Sequence, residues 1–502
     1  MSAGETGELN RRVEEFMTLR RELEQAVPSL ATSVDGRRFE FQASLHGLLF
    51  QAGGYVVLEG DGGSRLGQVI TLEAASREGP DVAVALADDL AARNRMLLRY
   101  AEGEGVVVEG DGAPFHDASV RPATADEVRA WLERTRPERP SLEIGELVLS
   151  PGVAYGLDAG GFDRHTFLCG QSGSGKTYSL GLVLEQLLLE TELRIVILDP
   201  NSDFVRLGRV REGVERELAT RYEAAAGGIA VRAADGAGPD RLHLAFPELE
   251  PAAQAALLRL DPIADREEYA ALAAALAEWR PATLVDLANS GGEDERRLLV
   301  RAQNLGVLQW GVWSAGNPGS VLDSVTSGGP RCVVVDLGSL GTNDEKALVA
   351  EAVLSRLWES RGDRAPVLVV VDEAHNVCPQ DPESGLLQLA TEHAIRIAGE
   401  GRKFGLYLLV STQRPQKVHE NVLSQCDNLI LMRMNSTADL GFVGDVFSFV
   451  PQSLLARATT FRQGESLAAG KISPHPALVR FGARVSEEGG GDVPADWAAL
   501  RS

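Results

Sequence analysis

Residues 165–177 read HTFLC-GQSGSGKT, an apolar run of β-strand length followed at once by the octapeptide Gly170 to Thr177. An amphipathic helical pattern, Thr177 to Glu190, begins where the glycines end. The octapeptide fits G-x-x-x-x-G-K-[ST] and stands in the strand–loop–helix context that gives this pattern its meaning. Successive backbone N–H groups can turn inward around an anion only where side chains do not block them, and a helix N-terminus already favours negative charge. The spacing predicts a phosphate cradle of Gly170, Ser172, Gly173, Ser174 and Gly175. Lys176 would reach the β- and γ-phosphates of ATP, and the Thr177 hydroxyl would sit on Mg2+. The chain has few lysines (Lys176, Lys346, Lys403, Lys417 and Lys471), so a chance match involving one of them is improbable.

The remaining text after Leu142 supports the same fold class. Further runs at LRIVILD (193–199), RCVVVDL (331–337), PVLVVVD (366–372), FGLYLLVST (404–412) and NLILMRM (428–434) are apolar throughout. A parallel sheet covered on both faces requires that pattern. Between Phe204 and Gly329 a stretch rich in alanine, leucine and arginine reads as a mostly helical insertion. Upstream, RRFEF, GYVVLEGDGG, SRLGQVITL, DVAVALA and GVVVEGDG are short β-like runs separated by glycine turns, which suggest a small barrel or sandwich. Thr124 to Arg134 reads as a helix with Thr124 as N-cap and Glu127 at the capping-box position. Leu9, Val13, Phe16, Leu23 and Val27 predict an N-terminal helix that ends at Pro28. The expected fold is α/β: a P-loop ATPase core with a mainly parallel sheet and helical insertion, preceded by a small N-terminal β-barrel. The expected divisions are a helix at 1–30, a barrel at 31–120 and a helix and linker at 121–141. The ATPase core follows at 142–485 with its insertion at about 205–329, and then a tail at 486–502.

Three more strand ends carry polar side chains. Asp372-Glu373 closes an apolar strand, so Asp372 would hold the Mg2+ shell and Glu373 would orient and deprotonate the attacking water. An adjacent glutamate favours hydrolysis over small-molecule kinase chemistry, in which the acceptor brings its own hydroxyl. Gln413, after FGLYLLVST, offers a neutral amide that senses the γ-phosphate. Asp199, ending LRIVILD, supports the metal or the water. His165 reads as structural, and His375, alone beside the acidic pair, makes a poor metal site.

Composition sets limits on this reading. Forty-nine basic against seventy-two acidic side chains give a net charge of −23, which excludes a protein that coats nucleic acid with its whole surface. A local basic channel is compatible with it, because exposed charges are screened beyond about 8 Å. Cys169, Cys332, Cys378 and Cys426 are widely spaced, which fits a reducing compartment and neither a disulfide framework nor a structural zinc site. No apolar run reaches the roughly 18 residues a bilayer span needs, so a cytoplasmic location and no membrane association are expected.

The segments FLCGQSGSGKT, VILDPNSDF, VVVDEAHN, GEGRKFGLYLLVSTQRP and VLSQCDNLILMRM together resemble the HerA/FtsK superfamily of hexameric P-loop ATPases, and the HerA branch most closely. FRQGESLAAGKISPHPALVRF is similar to the closing strands of HerA proteins. The resemblance covers most of the chain from Arg37 to about Arg484 and is strongest over these ATPase motifs. It implies a RecA-like core and a hexameric ring that hydrolyses ATP at subunit interfaces and pumps double-stranded DNA through a central channel. It also implies a nuclease or other effector as partner, in DNA-end processing or antiviral defence. Arg402, in GEGRKFG, matches the position of an arginine that reaches the neighbouring subunit's nucleotide, and Arg433 is a second candidate, acting within its own subunit. Either arginine could instead pair with an acidic neighbour. VILDPNSDF has Asn201-Ser202 where many members have His-Gly, which leaves the role of Asp199 open. Arg396, Lys403, Arg414 and Lys417 are available to line a channel. The alternative is an ATP-gated ring scaffold that assembles and activates a defence effector without processive translocation; a secretion or conjugation ATPase ranks third, because no membrane segment is present.

Overall fold

The computed structural model describes residues 3–81, 95–278, 283–286, 292–313 and 320–490. The DVAVALA run (81–87) therefore lies outside the described residues apart from Asp81, as does the stretch 491–502 of the C-terminal tail.

The N-terminal helix spans Ala3–Gln25 and is followed by β1 (Leu30–Ser33), β2 (Arg38–Ala43), β3 (Tyr55–Gly60), β4 (Gly63–Asp81), β5 (Arg95–Glu109) and β6 (Phe115–Pro122). These six strands close into a barrel in the order β1-β2-β5-β4-β3-β6. Its interior is filled by Phe39, Phe41, Val56, Leu58, Val69 and Ala118. Gly105 makes room for this filling, since a Cβ there would lie 2.2 Å from the Phe39 ring. The helix Ala125–Thr135 carries the capping box that the sequence announces: Thr124 Oγ1 accepts the Glu127 N–H at 3.3 Å and Glu127 Oε2 accepts the Thr124 N–H at 2.8 Å. Trp131 on this helix packs on Tyr55 of the barrel and on His475 of the core, which joins the two layers.

The core is one sheet of eleven strands. In chain order they are β7 (Ser141–Leu147), β8 (Ala154–Asp158), β9 (His165–Cys169), β10 (Arg194–Asp199), β11 (Ile229–Arg232) and β12 (Cys332–Asp336), then β13 (Val367–Val371), β14 (Leu406–Thr412), β15 (Cys426–Met432), β16 (Glu465–Gly470) and β17 (Ala477–Phe481). Their spatial order is β11-β12-β10-β13-β14-β9-β15-β16-β17-β7-β8. The ladder is parallel from β11 to β15 and antiparallel from β15 to β8. β9, β12 and β13 are buried at every position, as a sheet with helices on both faces demands.

Two parts of the sheet carried no signal in the sequence. Within the stretch 205–329, Ile229–Arg232 adds a parallel edge strand beside β12. Its four residues are all half-buried, so it lacks the strong apolar signature of an inner strand. β7 and β8 extend the sheet at the other end. Their mixed patterns, SLEIGEL and AYGLD, follow from lying next to an antiparallel strand with one partly solvated face. All four cysteines are buried and free. No helix among the described residues is long and apolar enough to cross a membrane.

Candidate active site

In a parallel sheet every strand delivers its C-terminal residue to the same edge, where ligands of open α/β folds bind. Here that edge collects Cys169-Gly170 from β9, Asp199 from β10, Asp336 from β12, Asp372-Glu373 after β13, Thr412-Gln413 from β14 and Arg433 after β15. β14 lies between β9 and β13, which sets the phosphate loop and the acidic pair one strand apart.

The loop is held open from outside. Gly173 and Gly175 have φ of +72° and +93°, in the left-handed region that a Cβ would strain. Gln171 N–H donates to the Arg433 carbonyl at 2.9 Å, Arg433 Nη2 donates to the Gly173 carbonyl at 2.9 Å, and Gly464 N–H donates to the Ser174 carbonyl at 2.9 Å. Gly170 must be glycine for space, because a Cβ there would lie 2.7 Å from that of Met432. The helix Lys176–Glu190 starts directly from this loop, with Thr177 half-buried in its first turn. Ser172 is exposed and Ser174 is buried, with an Oγ that has no hydrogen-bond partner.

Lys176 is 4% exposed, and its Nζ lies 2.9 Å from Asp372 Oδ1, 3.0 Å from Ser411 Oγ and 3.2 Å from Glu373 Oε1. Burial works against its charge, but Asp372 and Glu373 more than offset this and hold its pKa above the usual lysine value. Glu373 sits at φ +40°, an uncommon conformation for a non-glycine residue that turns the chain sharply at the strand end. Its Oε1 also accepts the Gln413 amide at 2.8 Å. The lysine, the acidic pair and the amide thus converge on one point. His375 Nδ1 lies 3.0 Å from Thr412 Oγ1 and 3.4 Å from Glu373 Oε2, at the flank of this group.

Asp199 is fully buried and accepts N–H groups from Asn201 (3.3 Å), Asp203 (3.0 Å) and Phe204 (2.8 Å). Burial outweighs these bonds and pushes its pKa up to about 7. Asn201-Ser202 shapes this turn: Ser202 has φ +62° and its Oγ donates to Asp336 Oδ1 at 2.7 Å. Sequence reasoning passed over Asp203, whose pKa is raised to about 6 by burial and then by the Asp372 charge. One carboxylate oxygen from each of Asp199, Asp203 and Asp372 lies within 4.8 Å of the others, a spacing that suits a shared cation. The signal for Asp203 was its place in DPNSD, four residues past Asp199 on the same turn. Ser411, the other partner of Lys176, lies inside β14, where nothing in the run FGLYLLVST sets it apart from its buried neighbours. The donor set fits Mg2+ and a nucleotide: Asp372 Oδ2, Glu373 Oε2 and Ser174 Oγ are buried without a hydrogen-bond partner, and carboxylate and hydroxyl oxygens are the ligands Mg2+ prefers.

The two arginines are placed differently. Arg433 braces the phosphate loop within its own chain. Arg402, just after the helix Gly385–Glu400, is exposed and pairs with Asp427 at 2.5 Å; among the described residues it forms no hydrogen bond or ion pair with the phosphate loop of its own chain. His165 is buried and accepts the Leu408 N–H at 2.9 Å, a strand-to-strand tie. Burial lowers its pKa to about 4. Arg396, Lys403, Arg414 and Lys417 are all exposed.

Comparison with known proteins adds to this geometry. Residues 142–300 match the family model described as Helicase HerA, central domain. Over this segment the chain is similar to the HerA family of P-loop ATPases. A "DNA double-strand break repair helicase HerA" from Pyrococcus furiosus is 25% identical over 404 residues, covering 68% of this chain and 69% of that protein. The protein of the same description from Sulfurisphaera tokodaii is 32% identical over 172 residues, covering 32% of this chain and 33% of its own length. Among solved structures, VirB4 of Thermoanaerobacter pseudethanolicus superposes with a TM-score of 0.47 at 16% identity, covering 69% of this chain and 98% of that one. The matched HerA domain begins just inside β7 and takes in the phosphate loop, β10 and the first part of the insertion. Together with the phosphate loop and the acidic pair described above, this similarity makes the protein an ATPase.

Proposed function

We propose that six copies of the chain form a ring that hydrolyses ATP at its subunit seams and drives double-stranded DNA through the centre, working in the cytoplasm with a nuclease or other effector in DNA-end processing or antiviral defence. The observation that carries this reading is the division of labour around the sheet edge. One chain supplies the phosphate loop, the acidic pair and the amide, while Arg402 stands exposed and free of that chain's own loop. The HerA relatives are DNA double-strand break repair helicases, which supports DNA as the substrate of the motion.

In this reading ATP with Mg2+ supplies the transferable phosphoryl group and neutralises its charge. Gly170 to Gly175 offer backbone N–H groups to the phosphates, and Lys176 shifts from Asp372 and Glu373 toward them. Thr177 and Asp372 hold the metal, with Asp199 and Asp203 close behind. Glu373 takes the proton of the attacking water, and Gln413, bonded to the same carboxylate, responds when the γ-phosphate leaves. Arg402 arrives from the next subunit to neutralise charge on the γ-phosphoryl oxygens, a contribution of about 10³–10⁵ in rate. Arg433 shapes the loop from within. Arg396, Lys403, Arg414 and Lys417 are the proposed channel residues, where converging side chains focus a positive potential despite the acidic exterior.

The test is ATP turnover with and without double-stranded DNA. Turnover should rise with DNA; indifference to every nucleic acid would refute translocation.

A scaffold that gates assembly of an effector is the second reading. The N-terminal helix favours it, because its foot is fixed to the barrel, Glu24 accepting the Arg99 N–H at 2.9 Å, while Met17 stands 54% exposed one turn from exposed Val13. Deleting residues 1–30 discriminates: a scaffold loses its partner and keeps its ATPase.

A further inference from the structure

Away from the nucleotide edge, three ionisable side chains meet between helices. Glu351 lies in the middle of the helix Asn343–Glu359, His393 in the middle of Gly385–Glu400, and Glu250 caps the insertion helix Pro251–Leu257. One ligand atom from each lies within 4.8 Å of the other two. Glu351 is 1% exposed, and neither of its carboxylate oxygens has a hydrogen-bond partner; His393 Nδ1 is also buried and unpartnered. Among the described residues no lysine or arginine forms an ion pair with Glu250 or Glu351. Ser355 Oγ donates to Glu250 Oε1 at 2.6 Å, whereas the only group that approaches the Glu351 carboxylate among the ion pairs of the described residues is the His393 imidazole, and a buried carboxylate so weakly met is costly.

The separations suggest what is missing. His393 Nε2 lies 3.5 Å from Glu351 Oε1 and 3.8 Å from Glu250 Oε2, too far for good hydrogen bonds. Two donors bound tetrahedrally to one zinc ion at about 2.0–2.2 Å stand roughly 3.3–3.6 Å apart. The 3.5 Å gap falls in that range and the 3.8 Å gap lies just beyond it, nearer to a shared ion than to a shared proton. Two carboxylates with one imidazole are a zinc-type donor set, with a fourth position left for water. Calcium wants six to eight oxygens, and Mg2+ is bound through oxygen ligands and retains its waters. Glu250, with its side chain 32% exposed, provides the way in.

We propose that Glu250, Glu351 and His393 bind a zinc-class divalent cation that clasps the insertion to two core helices. The clasp is independent of the nucleotide reading. It bears on it only because the His393 helix runs on to Gly401 and Arg402, so that fixing this helix fixes the base of the exposed arginine.

The experiment strips the full-length chain with a chelator, saturates the nucleotide site with Mg2+ and ADP, and titrates Zn2+. Retained metal is counted by mass spectrometry and thermal unfolding is followed in parallel. Wild type should keep one Zn2+ per chain and unfold at a higher temperature with it. His393→Ala and Glu351→Gln should each lower zinc affinity by at least about 100-fold, since even the loss of a supporting outer partner costs 10–100-fold. Glu351→Gln removes a buried charge without changing shape, so it should fold, and its circular dichroism checks this. Wild type that retains no zinc, or folded Glu351→Gln that retains it with unchanged affinity, would overturn the proposal.

Discussion

Replacing Glu373 by glutamine tests the chemistry and the competing contacts of Lys176 together. Lys176 lies 2.9 Å from Asp372 and 3.2 Å from Glu373, so phosphates must draw it away from both carboxylates. A hydrogen bond to a charged partner contributes about 1.5–3 kcal/mol net, and one between uncharged groups about 0.5–1.5 kcal/mol. Taking the Lys176 contact to Glu373 as weakened by a similar margin, Glu373→Gln lowers the cost of releasing Lys176 by about 1–2 kcal/mol, which is roughly five- to thirtyfold in affinity. Removing a negative charge beside the γ-phosphate acts in the same direction. Turnover should move the other way and fall about 10²–10⁴-fold, because the amide keeps the shape and loses the base. Equilibrium binding of a fluorescent ATP analogue and steady-state phosphate release, measured on one preparation, report both effects. Turnover within tenfold of wild type would remove Glu373 from the role of base. ATP binding that is unchanged or weaker would mean that Glu373 does not compete with the phosphates for Lys176.

Two further outcomes follow from the same geometry. Arg402→Ala should leave folding within about 1 kcal/mol of wild type, since its pair with Asp427 is exposed. Nucleotide binding should persist while turnover of the assembled protein drops about 10³-fold or more, as measured by phosphate release; a normal rate would move the trans-acting group elsewhere. Asp199 at about 7 and Asp203 at about 6 both titrate above the ordinary aspartate value, so the folded chain holds protons there that the unfolded chain has released. Their stabilising contribution is complete below about pH 4 and is lost as pH rises toward 7. Mg2+ requires the deprotonated carboxylates. Its affinity in the absence of nucleotide should therefore rise roughly tenfold from pH 6 to pH 8 by calorimetry, and Asp199→Asn should flatten that rise.

The parts of the fold that were legible in the sequence are those governed by local constraint. The Thr124–Glu127 capping box is a contact between neighbours along the chain, and β9, β10, β12, β13 and β14 are buried on both faces, so each stands out as an unbroken apolar run. The glycines of the phosphate loop are needed for the sign of φ at Gly173 and Gly175 and for the space at Gly170. β7, β8 and β11 escaped notice because edge and antiparallel strands share their faces with solvent, and their residue pattern blends into that of loops.

The amino-acid order alone determined which side chains stand at strand ends, because alternation, glycine placement and capping act over a few residues. Only the tertiary structure decided which of those ends meet. It set β14 between β9 and β13, brought Ser411 and Asp203 into contact with groups that motifs had already marked, and paired Arg402 with Asp427 instead of its own phosphate loop. It also buried Glu351 against His393 and Glu250, three residues far apart in the chain and without a motif. Such meetings depend on strand order and helix packing, which are collective properties of the whole core that no short window of sequence contains.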